Sequence, residues 1–178
     1  VVILQHPRER DVPINTARIA PLCLPEAELH VGLDWTRLPC ADDPARPPIL
    51  LYPDKDAIDV EERPPAGPVT LVVVDGTWSQ ARTLVRRSPA LAALPRYAFR
   101  PRAPSDYRIR REPHETYVST IEALVAVLGV LEGDPERMAA LLEPFRAMVD
   151  AQLAYARTST GTRHQTARRE RHERPPRV

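Results

Sequence analysis

Three clusters of polar residues follow apolar runs in this chain and carry side chains able to do chemistry: His6–Arg8–Glu9, Tyr52–Asp54–Asp56 and Asp75–Thr77–Trp78. Asp75 has the strongest position. It comes directly after the Val- and Leu-rich run Val69–Val74, and Gly76 behind it allows a tight turn or the close approach of a ligand. A partly buried carboxylate there can take a proton or orient a substrate. It can equally cap the helix that follows, and position alone divides the two roles evenly. Trp78 is suited to stacking on a nucleobase or adenine ring, and also to packing in a core. No Ser or Cys sits in a nucleophile elbow, and there is neither a glycine-rich dinucleotide fingerprint nor a phosphate-binding loop. The two cysteines, Cys23 and Cys40, are too few for a disulfide framework or a zinc site, so no metal is expected and a cytoplasmic setting is the default.

The basic residues are clustered. The formal net charge is +1, yet residues 82–111 hold nine Arg and a single acid, Asp106. Residues 1–70 and 112–156 are acidic overall, and the tail 157–178 carries seven Arg against two Glu. Arg82 and Arg86 are spaced to share a helical face. With Arg87, Arg108, Arg110 and Arg111 they form a candidate surface for RNA phosphates, since guanidinium suits bidentate phosphate contacts. The competing reading is a solvated or internally paired face.

These groups need elements to hold them. Runs without polar alternation predict buried strands at Val1–His6, Ile49–Tyr52 and Val69–Val74, which argues for a parallel sheet covered on both faces. Glu28–Val31, Arg96–Arg100 and Tyr107–Arg110 read as weaker strands. A short helix is expected from Asn15 or Thr16 to Leu24, and another over Ser79–Arg87. Ser119 with Glu122 fits a capping box opening a helix to Leu131. Pro135–Arg157 reads as one long helix kinked at Pro144. The segment 158–178 has almost no apolar residues and is expected to be a disordered basic tail. The fold class is therefore α/β, a mostly parallel sheet flanked by helices, in a single domain over 1–157. The apolar start Val1–Leu4 is too short for a secretory signal, and no run is long enough to span a membrane.

Taken in order, His6-Pro7-Arg8-Glu9, Asn15-Thr16-Ala17-Arg18, Tyr52-Pro53, Asp75-Gly76-Thr77-Trp78 with Ala81, Arg111-Glu112-Pro113 and Ser119-Thr120-Ile121-Glu122-Ala123 resemble the DTW-domain proteins, the tRNA-uridine aminocarboxypropyltransferases. The resemblance covers roughly residues 1–150, and Asp75, Thr77 and Trp78 carry the name-giving tripeptide. It implies a SPOUT-like fold with a C-terminal trefoil knot. It also implies transfer of the 3-amino-3-carboxypropyl group of S-adenosylmethionine to N3 of a tRNA uridine, releasing methylthioadenosine.

On that resemblance Asp75, Thr77 and Trp78 are the expected catalytic group. His6, Arg8, Glu9, Ser119, Thr120 and Glu122 are the expected contacts of the S-adenosylmethionine donor. The partner is tRNA, and related knotted enzymes suggest a homodimer. Family members often carry a cysteine-rich segment before the His-Pro-Arg-Glu motif, which this chain does not match. Two other classes fit the same residues: an S-adenosylmethionine-dependent RNA methyltransferase, and a non-catalytic RNA-binding protein.

Overall fold

A computed structural model describes residues 1–40, 43–109 and 117–172, with side chains described through 158. Six strands form one sheet: β1 (Val2–Gln5), β2 (Glu28–Val31), β3 (Pro48–Leu51), β4 (Ile58–Asp59), β5 (Thr70–Asp75) and β6 (Arg96–Ala98). Their spatial order is β2-β1-β5-β3-β6-β4, and every neighbouring pair is parallel. The unalternating apolar runs thus gave the sheet type correctly.

The pleat sorts those runs onto two faces. Ile3, Ile49, Leu51, Leu71 and Val73 face one way, and Val2, Leu4, Leu50 and Val72 the other. The first face is covered by α1 (Ile19–Cys23), α4 (Thr120–Leu131) and α6 (Leu142–His172), through Ile19, Leu124, Val125, Phe145 and Val149. Met138 of the short α5 (Pro135–Ala139) completes that layer. The second face is covered by α2 (Trp78–Arg87) and α3 (Pro89–Ala92), through Val85 and Leu91. Among the described residues no helix is long and apolar enough to cross a membrane.

Four expectations need correction. Tyr107–Ile109 is not a strand but a turn, and Arg110 lies outside the described residues. Tyr107 is instead a buried side chain whose hydroxyl donates to the Ile14 carbonyl at 2.6 Å. The two-residue strand β4 has no counterpart among the expected strands. It is too short to show periodicity, and its register is set entirely by β6, with Ile58 opposite Tyr97.

The third correction is in the C-terminal helices. The expected kink at Pro144 is a full break at residues 140–141, between α5 and α6. Pro144 then sits in the first turn of α6, where its missing N–H deprives no carbonyl of a partner. The fourth is the end of that long helix, whose backbone continues past Arg157 to His172.

The Pro144 placement is directly testable by urea denaturation. Pro144→Ala should change stability by less than about 1 kcal/mol, as expected of a first-turn position. Phe145→Ala, at a fully buried site, should cost about 3–5 kcal/mol. A large gain from Pro144→Ala would mean that the proline interrupts a continuous helix.

Candidate active site

The connections from β1 and β5 leave in opposite directions across the sheet: β1 leads to β2 on one side, and β5 leads to β6 on the other. Adjacent strands whose crossovers diverge open a crevice beyond their carboxyl ends, where ligands bind in open α/β sheets. Gln5 and Asp75 are register partners at those two ends. A cavity of about 840 Å³ opens there. It is large enough for a nucleoside-sized ligand with further room beside it.

Asp75 is buried at the cavity wall, 4% exposed. Its carboxylate accepts three side-chain hydrogen bonds. Gln5 Nε2 and Asn15 Nδ2 donate to Oδ2 at 3.0 and 2.9 Å, and Thr120 Oγ1 donates to Oδ1 at 2.7 Å. Asn15 uses its other end as a cap, its Oδ1 accepting from Ala17 N at 3.0 Å at the start of the 3-10 turn Thr16–Arg18. One carboxylate therefore joins β1, the 15–18 turn and the start of α4. Asp75 does not cap α2. Thr77 does, in a capping box with Gln80. Gly76 between them has φ +156°, and a Cβ there would come within 2.9 Å of Gln80 Oε1 and 3.3 Å of the His6 Cβ. Glycine at this position is what lets the strand turn into the helix so tightly.

Trp78 opens α2 and is 37% exposed at the cavity, so it is not core packing. Its ring stacks, tilted by 42°, on Tyr117 at a centroid distance of 4.7 Å. Ser119 caps α4, and Ser119 and Thr120 line the cavity. The N-termini of α2 and α4 thus meet at one space, and both favour a negatively charged ligand group there. The remaining wall is largely apolar, built from Leu51, Val73, Ala98, Phe99, Pro101 and Ala123.

The structure brings Glu9, Asp75, Thr77, Trp78, Ser119 and Thr120 of the expected residues onto this wall. His6, Arg8 and Glu122 stand off it. His6 is buried, and its Nδ1 accepts from Arg8 N at 3.2 Å, capping the 3-10 turn Pro7–Glu9. The Arg8 side chain points outward and is exposed. The Glu122 carboxylate is engaged by the chain itself. Ser119 N and Ser105 Oγ donate to Oε2 at 2.7 and 2.6 Å, and Asp106 N donates to Oε1 at 2.6 Å. Beyond capping α4, Glu122 thereby fixes the 105–106 loop and places Tyr107 in the cavity wall.

Residues that sequence reasoning did not single out complete the site. Gln5 was hidden as the last residue of an apolar strand, although a lone amide at a buried strand end needs a polar partner. Asn15 enters the sequence reading as a cap and within the Asn15-Thr16-Ala17-Arg18 motif, without a role at the site. Tyr107 was hidden in a segment misread as strand, and Tyr117 has no local signature.

The arginines divide into two sets. Arg96 pairs with Asp54, Arg102 with Glu61 at 2.9 Å and Arg108 with Asp150 at 2.6 Å, while Arg100 lies 3.5 Å from Asp59. Arg82, Arg86 and Arg87 are exposed on α2 without an acidic partner among the described residues. Arg111, like Arg110, lies outside the described residues. Among the described residues no group of three His, Cys, Asp or Glu side chains is placed to hold a metal ion. Burial raises the Cys40 thiol pKa and so keeps it protonated.

A family model for the DTW domain matches residues 1–153. The chain is 36% identical over 165 residues to the tRNA-uridine aminocarboxypropyltransferase 2 of Drosophila melanogaster, covering 86% of this chain and 64% of that protein. The protein of the same name from Macaca fascicularis is 28% identical over 163 residues, covering 86% of this chain and 54% of its own length. The chain thus spans less than two thirds of these curated relatives. Among solved structures it is similar to the SAM-dependent rRNA:acp-transferase Tsr3 from Vulcanisaeta distributa, with a TM-score of 0.49 and 18% identity over 85% of this chain and 79% of that one.

The structural role of Glu122 makes a prediction about stability. Glu122→Gln should cost about 1–3 kcal/mol in thermal or urea unfolding, because donors from two segments lose a carboxylate partner. Glu132→Gln, at the exposed C-cap residue that follows the same helix, should stay within about 0.5 kcal/mol. Equal effects would remove Glu122 from its bridging role.

Proposed function

The chain belongs to the DTW-domain family, and from that premise we propose that it transfers the 3-amino-3-carboxypropyl group of S-adenosylmethionine to N3 of a uridine in tRNA. The observation that carries this reading is the cavity at the β1–β5 crevice, where the Asp75 network, two helix N-termini and the Trp78–Tyr117 pair meet. The residues suit such a donor. Apolar and aromatic walls accept an adenosine moiety, the Glu9 carboxylate complements a sulfonium or ammonium group, and the helix N-termini complement a carboxylate.

The donor supplies an electrophilic carbon: the N3–carbon bond forms as the carbon–sulfur bond breaks, the electron pair stays on sulfur and the N3 proton is released. The protein's part is to bring the nitrogen and carbon into line and to exclude water. We assign Asp75 the orienting role at the uracil edge. Three donors hold its carboxylate in one position, and Oδ1, which accepts only from Thr120, retains an acceptor site for the N3–H. Thr120 couples that carboxylate to the N-terminus of α4, so the two substrates are positioned by one rigid unit. Thr77 holds the turn between Asp75 and Trp78 through its cap. RNA phosphates are assigned to Arg82 and Arg86 of α2, which share a helical face. The catalytic unit is taken as residues 1–157, and the C-terminal trefoil knot implied by the family resemblance belongs to the same reading.

Incubation with S-adenosylmethionine and undermodified tRNA, followed by nucleoside mass analysis, tests the reaction. Aminocarboxypropyl-uridine with methylthioadenosine is expected. A methylated uridine with S-adenosylhomocysteine would make the protein a methyltransferase, and binding without any product would make it an RNA-binding protein.

Asp75→Asn should lower the transfer rate at least 100-fold while donor affinity stays within about threefold, an effect of the size expected when substrate alignment is lost. Thr120→Val, which leaves the carboxylate in place but removes one of its anchors, should fall between wild type and Asp75→Asn. Near-normal turnover in Asp75→Asn would end the orienting assignment.

A further inference from the structure

We propose that the face of α2 carrying Trp78, Arg82 and Arg86 is the track for a single RNA strand on one side of the modified uridine, with the base next to the target stacked on the Trp78–Tyr117 pair. The inference rests on the proposed reaction for its location and on three observations for its content. First, Trp78, Arg82 and Arg86 recur every four residues. They form one ridge that starts at the cavity mouth and leads away from it, with successive side chains about 6 Å apart along the axis. An extended nucleotide chain can meet such a ridge one phosphate per arginine.

Second, these arginines are not committed elsewhere. The described arginines Arg96, Arg100, Arg102 and Arg108 of the same basic block all have acidic partners, whereas Arg82 and Arg86 are exposed and have none among the described residues. Third, the helix cannot roll to present another face. Ala81, Leu84 and Val85 are buried beneath it, and the Thr77–Gln80 capping box pins its first turn. Arg87 therefore points about 100° away from Arg86, off the ridge.

The partly exposed Trp78 ring offers a π-face that accepts any base, and the two guanidinium groups complement phosphodiester charge. This chemistry fits a strand with splayed bases better than a duplex, whose bases are already stacked on one another.

The test uses the full chain and labelled oligouridine, without donor, in titrations at several salt concentrations. Arg82→Gln and Arg86→Gln should each weaken binding several-fold and lower the magnitude of the slope of log K against log salt by about 0.7, the value for one phosphate contact on a single strand. Arg87→Gln should change neither. Trp78→Ala should weaken binding about tenfold or more without altering the slope, and Trp78→Phe should recover most of it. An equal slope change in Arg86→Gln and Arg87→Gln, or none in either ridge variant, overturns the track. Equal losses on an RNA duplex would overturn the single-strand preference. Because these readouts need no turnover, they stand or fall separately from the product analysis.

Discussion

The Asp75 carboxylate is the point through which the site is held together. A buried charge is tolerated only when its acceptor positions are filled. Here the donors come from Gln5 on β1, Asn15 at the 15–18 turn and Thr120 at the start of α4, positions separated by up to 115 residues in the chain. Each donor has a second tie. Gln5 lies in the sheet opposite Asp75, Asn15 caps its turn, and Thr120 follows the Ser119–Glu122 capping box. The carboxylate thus fixes the relative position of the sheet and the two segments that wall the cavity. Without it, two amide donors would face a buried space with nothing to bond.

That arrangement also shows which parts of the fold can be read from residue order. β1, β3 and β5 are legible because their apolar runs are buried on both faces, and the capping box of α4 because its spacing has one geometric meaning. The break between α5 and α6 is less legible. Proline restricts both a helix interior and a first turn, and only the packing of Met138 and Phe145 against the same core decides which applies. β4 and Tyr107 are illegible for a related reason. Their conformations are set by distant partners, Tyr97 on β6 in one case and the Ile14 carbonyl in the other.

The basic block has the same lesson in electrostatic form. In the chain, nine arginines follow one another with a single acid among them, which reads as a surface for polyanions. In space, acids from the loop after β3, from β4 and its following turn, and from α6 return to Arg96, Arg100, Arg102 and Arg108. Most of these pairs are solvent-exposed and contribute little stability each. Their consequence lies in the field. Among the described residues, the arginines of the block after α2 are paired, and those of α2, beside the cavity, have no acidic partner.

Sheet order explains why neutralised and free arginines fall on different sides. The crossovers diverge between β1 and β5, so the crevice opens at the centre of the sheet, and α2 begins directly at the end of β5. β6 and β4 lie toward the far edge, where Arg96 and Arg100 meet the acids of neighbouring segments. A helix that starts at the crevice carries its N-terminal end and Trp78 to the ligand, and its later turns outward across the surface. Placing the unpaired arginines on those turns couples the anion-favouring helix end to a longer positive ridge. The same strand-to-helix turn that sets Asp75 in the wall therefore also sets the direction from which a negatively charged polymer can approach it.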